Sequence, residues 1–139
     1  MNNRISFLPL INWLKSSEMF ARPSRQIPGK WQLTEYYTET EFELRNMTGS
    51  QLKAAGEFWD IEFKSGKVYL QNGNIPVPVI SGIKNGNWFI SKNFITLTSS
   101  GDSVQNVEFQ FAIENEMLKM LKKNTLGRID FFGFFKKLE

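Results

Sequence analysis

From Lys30 onward the chain is punctuated at short intervals, with runs of alternating apolar and polar residues ended by turn formers. In Lys30–Tyr37, Trp31, Leu33, Glu35 and Tyr37 fall on one side and Gln32, Thr34 and Tyr36 on the other, as in a half-buried strand. Thr48 and Gln51 stand at capping-box spacing, Leu52, Ala54 and Ala55 suit a helix, and Gly56 can end it. A short helix is therefore expected after the first long strand. Phe58–Phe63 and Lys67–Gln71 flank Lys64-Ser65-Gly66 as a hairpin, with the glycine expected at positive φ. Pro76 and Pro78 make Ile75–Ile80 an edge or bulged strand, and Asn85-Gly86 reads as a type I′ turn between Val79–Ile83 and Asn87–Ser91. Lys92-Asn93, Ser99–Asp102, Glu114-Asn115 and Asn124–Gly127 then separate Phe94–Thr98, Asn106–Ile113, Glu116–Lys122 and Arg128–Lys137. Such spacing predicts an all-β fold, an antiparallel up-and-down barrel of about eight strands.

The first 26 residues follow a different period. Phe7, Leu10, Ile11 and Leu14 lie at i, i+3, i+4 and i+7, which predicts a short amphipathic helix over roughly residues 8–20. Pro23, Arg25 and Pro28 then form an extended link. The organisation expected is an N-terminal helical segment and linker over 1–26 and a barrel domain over 27–139. Three readings stand for the segment: a helix packed on its own barrel, a vestigial leader, and a membrane-surface helix or one for a protein partner or self-association. Arg4 precedes an apolar stretch, but Pro9, Asn12 and the lack of a small-x-small site make a poor export signal, and the stretch is too short to span a membrane.

Composition narrows the chemistry. The chain has 139 residues, enough for one domain with a real core, and its thirteen Phe and four Trp suit the inward positions of a barrel. The net charge of +3 is interspersed along the strands, so nucleic acid is not expected as a partner. Lys119/Lys122/Lys123 and Lys136/Lys137 read as solvated strand ends. With neither Cys nor His, the chain cannot form a disulfide, a thiolate nucleophile, a Ser-His-Asp triad, a histidine-ligated haem or an ordinary zinc site. No cofactor and no enzymatic turnover are expected. Glu35 is the acidic residue that alternation places on the Trp31 face, either paired inside or open to water at a strand end, and no second carboxylate stands in acid/base relation to it.

Two groups of residues could carry function. Trp59 and Phe63 share a strand face with Ile61, and Phe109 and Phe111 share a later one with Ile113. With Trp88 and Ile90 they either line an apolar cavity or fill the barrel, since eight strands enclose just enough room for either. Gly29-Lys30-Trp31 opens the first strand, and Arg128 returns in the last. This pairing resembles the lipocalin-like branch of the calycin barrels, including small bacterial members, in which a Gly-x-Trp on the first strand and a basic residue on the last mark the closed end.

The resemblance implies that Gly29, Trp31 and Arg128 form a structural barrel base. It also implies non-enzymatic binding of a small hydrophobic molecule by Trp59, Phe63, Trp88, Phe109 and Phe111. Export to the periplasm or envelope is implied too, although the chain shows no lipobox cysteine. Arg128-Ile129-Asp130 departs from the Arg-x-Tyr of fatty-acid-binding barrels. A filled-core interaction module, contacting a partner through its outer surface or N-terminal helix, is the alternative. Protein purified without a chelating tag is expected to carry less than about a tenth of an equivalent of transition metal by elemental analysis; a stoichiometric, protein-ligated metal would contradict the reading.

Overall fold

A computed structural model describes residues 26–99 and 105–138. The helix expected over residues 8–20, with the start of the link that follows it, lies outside the described residues. Among the described residues nine strands form one sheet: β1 (Gly29–Glu39), β2 (Leu44–Met47), β3 (Trp59–Phe63), β4 (Val68–Gly73), β5 (Gly86–Ser91), β6 (Phe94–Ser99), β7 (Gln105–Glu114), β8 (Met117–Lys123) and β9 (Ile129–Leu138). Two short helices interrupt them, α1 (Gly49–Ala55) and α2 (Pro78–Ser81). All pairings are antiparallel, neighbours follow chain order from β3 to β9, and a β1–β9 pairing closes an eight-stranded barrel with β2 outside the ring.

β1 makes closure feasible. One of its edges pairs with β9 over Lys30–Tyr37, while the other is divided between β3 at Gly29–Gln32 and β2 at Tyr36–Glu39. A strand serving three neighbours must bend, and the β1–β9 register shifts between Leu33 and Glu35. That bulge breaks the simple alternation: Trp31 and Leu33 are buried, and Tyr36, rather than Glu35 or Tyr37, is the next residue to join them in the core. Glu35 instead accepts a hydrogen bond from Asn46 Nδ2 of β2 at 3.2 Å.

Trp31 closes one end, called the base here. Its indole nitrogen donates to the Ile27 carbonyl at 2.8 Å, and the side chain is 1% exposed. The basic group over its ring is Lys137, with Nζ 5.3 Å from the ring centroid. The expected Arg128 partnership is corrected by register. Trp31 pairs with Lys137 and Tyr37 with Phe132, while the Ile129 amide donates to the Glu39 carboxylate, so Arg128 lies just before β9 at the opposite end of the barrel. Gly29 has φ +133°, and a Cβ there would sit 2.8 Å from Lys137 Cε, so the missing side chain leaves the lysine its path to the indole.

Three other elements differ from expectation. The Ile75–Ile83 region is not strand: Pro78 opens α2 at a position where its missing amide costs nothing, and Ile75, Val77, Ile80 and Ile83 turn into the core. Gly86 is a strand residue paired with Ser99, and a Cβ on it would fall 1.9 Å from the Thr98 carbonyl oxygen, so glycine serves close strand approach rather than a turn. In the Lys64–Lys67 turn the positive φ falls on Lys67, at 69°, instead of Gly66. The capping box forms as read, with Thr48 and Gln51 satisfying each other's backbone amides and Gly56 in the left-handed conformation.

Equilibrium denaturation tests the base. Trp31→Ala is expected to cost about 3–5 kcal/mol through lost burial and a residual cavity, and Lys137→Ala about 0.5–1 kcal/mol, as for an exposed cation–π contact. Arg128→Ala should stay within about 0.5 kcal/mol. An Arg128→Ala loss exceeding that of Lys137→Ala would contradict the register.

Candidate functional site

The barrel interior is aromatic and tightly occupied. Alternation on β3, β5 and β7 sends Trp59, Phe63, Trp88, Phe109 and Phe111 inward, where each is at most 1% exposed. Four of them pack edge-on against neighbouring rings. Phe63 meets Trp88 edge-on at 5.5 Å, Trp59 meets Phe131 at 5.8 Å and Phe135 at 5.5 Å, and Phe109 meets Phe131 at 6.4 Å. Such edge-to-face pairs contribute about 0.5–1.5 kcal/mol each beyond area burial. Gly133 makes room for this packing, because a Cβ there would lie 2.5 Å from the Phe131 ring.

The wall is weakest between β4 and β5. These strands pair at only two positions, Val68 with Asn87 and Tyr69 with Gly86, before the chain leaves β4 for α2. Beyond them, polar side chains replace the ladder. Asn85 Oδ1 accepts from the Gln71 amide at 2.8 Å. Tyr69 donates its hydroxyl to the Lys84 carbonyl and stands 3.2 Å from Ser99 Oγ, which in turn accepts from the Lys84 amide at 3.1 Å. Burial raises the Tyr69 phenol pKa, partly offset by the Ser99 hydroxyl, so the group stays a neutral donor that pins three segments together.

At this seam, beneath α2, lies a cavity of about 200 Å³. Ile75, Ile80 and Ile83 supply apolar surface, Gln71, Asn74 and Ser81 supply polar groups, and Trp59 borders it. The Trp59 indole nitrogen donates to Gln71 Oε1 at 2.9 Å, which links the cavity wall to the aromatic core. Of the five residues expected to contact ligand, Trp59 alone touches this cavity; Phe63, Trp88, Phe109 and Phe111 do not line it. Sequence reasoning missed Tyr69, Gln71, Asn85 and Ser99, whose roles depend on the sheet parting. The available signal was Pro76-Val77-Pro78, which fits a helix start as well as it fits a disrupted strand.

Two further concavities among the described residues are larger. One of about 360 Å³ lies at the base beside Trp31, Lys137 and the Glu114–Glu116 turn. The other, about 260 Å³, is a groove on the outer face of β1, β3 and β4. There Asp60 and Glu62 sit on the outward face, as alternation requires, and Asp60 Oδ1 is buried without a hydrogen-bond partner. Among the described residues no group of three His, Cys, Asp or Glu could hold a metal, and no helix is long and apolar enough to cross a membrane.

Tyr36 donates to Glu57 Oε1 at 3.1 Å, and burial first, then the Glu57 carboxylate, push its phenol well above the ordinary 10.0. A raised phenol pKa in the fold means that the unfolded chain releases its proton first. The resulting stabilisation is complete below pH 10 and declines as pH rises through the interval above it, at most about 1.4 kcal/mol per pH unit for one group. Tyr36→Phe is expected to flatten the fall of the urea midpoint above pH 10; an unchanged alkaline slope would contradict this. No protein-family model, curated protein or solved structure matches the chain, so its function is argued from these residues.

Proposed function

We propose that this chain is a non-enzymatic, lipocalin-like barrel that binds a small, largely apolar molecule at the β4–β5 seam. The observation that carries the reading is the cavity under α2, placed where the ladder parts and bordered by Trp59. At about 200 Å³ the cavity is partly open and its lining more polar than apolar, which suits a single small ring bearing polar substituents. The isoleucines would take the ring, and Gln71, Asn74 and Ser81 offer hydrogen bonds to the substituent. Burial of the other four aromatics makes them the rigid floor of the site instead of its lining. The family reading is supported by the eight-stranded meander, by Trp31 at the base, and by a basic residue of the last strand, Lys137, across its ring. Exported placement belongs to the same reading.

A second reading is favoured by a different observation. Phe42 at the β1–β2 turn is 89% exposed and Leu126 at the β8–β9 turn is 76% exposed, and the Ile129–Glu39 contact brings these turns to the same end. Together with the filled interior, this suits a module that engages a protein partner through its surface.

Titration of phenol, benzyl alcohol and benzamide by calorimetry and saturation-transfer NMR separates the two. At least one compound is expected to bind with millimolar or tighter affinity, and Ser81→Trp, which places a ring into the cavity from an exposed position, should weaken it by about tenfold or more. A folded protein that binds none of them, or binding untouched by Ser81→Trp, would leave the interaction module as the better account.

A further inference from the structure

Of the three polar aliphatic side chains on the seam cavity, two are spent on the fold. Asn74 stands just after β4 and reaches back: its Oδ1 accepts from the Phe58 amide at 2.9 Å and its Nδ2 donates to the Gly56 carbonyl at 2.8 Å, which ties the α1–β3 connection to the end of β4. The Ser81 hydroxyl donates to the Pro78 carbonyl at 3.3 Å, back onto its own helix. No Asp, Glu, Lys or Arg lines the cavity.

Gln71 is the exception, and its orientation is fixed. Trp59 pairs with Gly73 and Ile61 with Gln71, so Trp59 and Gln71 are diagonal neighbours on the inward face. Gly73 leaves the indole room against β4, because a Cβ on it would fall 2.9 Å from Trp59 Cδ1. An indole N–H can only donate, so the Gln71 atom 2.9 Å from it is the amide oxygen. Exchanging the two ends of the amide would set donor against donor. The Gln71 main chain is held as well, its amide donating to Asn85 Oδ1 at 2.8 Å. Among the described residues nothing accepts from Gln71 Nε2, so a whole amide nitrogen is uncommitted at the cavity it borders.

We infer that the seam site takes neutral ring compounds whose substituent is a hydrogen-bond acceptor, such as aryl ketones, and that Gln71 Nε2 is the donor that selects them; this rests on the reading of the cavity as a ligand site. Ile75, Ile80 and Ile83 offer the ring its apolar contact. A carbonyl facing Nε2 would complete the one side chain the fold leaves half-bonded, whereas the N–H groups of an aromatic amine would meet it donor to donor. A charged substituent would give up its hydration to a wall without an opposite charge. Trp59 is a positioning residue: by holding the amide oxygen it leaves the nitrogen as the end presented to the ligand.

Acetophenone, an acceptor with no donor, and aniline, neutral at pH 7 and chiefly a donor, are titrated by calorimetry into the full chain and into Gln71→Glu. The substitution exchanges one atom: the remaining oxygen still accepts from Trp59, while the selecting donor becomes an acceptor. Comparing the acetophenone-to-aniline affinity ratio between the two proteins cancels the hydration of the compounds themselves. That ratio should fall by about tenfold or more in Gln71→Glu, and Ser81→Trp should weaken both compounds in the otherwise unaltered protein. Should Gln71→Glu fail to fold, Gln71→Met, of similar length and without the amide, takes its place and should lower the ratio by about threefold or more. A ratio that does not move, or aniline as the tighter ligand of the unaltered protein, would overturn the acceptor preference while binding blocked by Ser81→Trp left the seam site standing. Binding of neither compound, or binding untouched by Ser81→Trp, would overturn both.

Discussion

Closure of β1 against β9 is the constraint on which the remaining structure depends. An eight-stranded meander left open would expose two edges of unpaired backbone N–H and C=O groups, and an exposed edge is a template for aggregation. β1 prevents that by pairing β9 along one edge while dividing the other between β3 and β2. The bend this requires is localised at the Leu33/Glu35 bulge, and the bulge decides which residues are core from there on. Tyr36 is buried against Phe131, at 5.5 Å between rings, because the parity of β1 has changed. The same register brings Lys137 to Trp31 and sends Arg128 to the other end.

Closure also has a weak point, and the chemistry of the molecule gathers there. A barrel pinned tightly at the base by Trp31 and filled by edge-on aromatics has little freedom, whereas two paired positions between β4 and β5 leave a seam held by side chains. Tyr69, Ser99, Asn85 and Gln71 do by hydrogen bonding what the ladder does elsewhere. Their bonds are individually worth about 0.5–1.5 kcal/mol, so the seam can open locally at far smaller cost than the closure. The cavity beneath α2 therefore combines a rigid floor with a yielding wall, which is what the proposed small-molecule site would need for entry.

Most strands were legible because alternation and turn chemistry are local. Trp59, Ile61 and Phe63 share a face wherever β3 lies, and Thr48 with Gln51 caps a helix by contacts within four residues. What escaped depends on partners distant in sequence. Arg128 and Lys137 both border the last strand, and only the β1–β9 register decides which one meets the indole. Leu44–Met47 is a strand because β1 bends to offer it an edge. The helix at Pro78–Ser81 forms because the sheet parts beside it, and Glu35 faces outward because of a bulge that no alternation count contains. The ligand candidates were found as inward residues, but whether inward aromatics line a space or fill it is decided by their mutual packing.

Residue-resolved hydrogen exchange measures the difference between closure and seam directly. Amides shared by β1 and β9 should exchange slowest, through global unfolding alone, while those on the seam side of Leu70–Gly73 should exchange through a local opening orders of magnitude more often. Equal protection at both places, or faster exchange along β1–β9 than at the seam, would contradict the account.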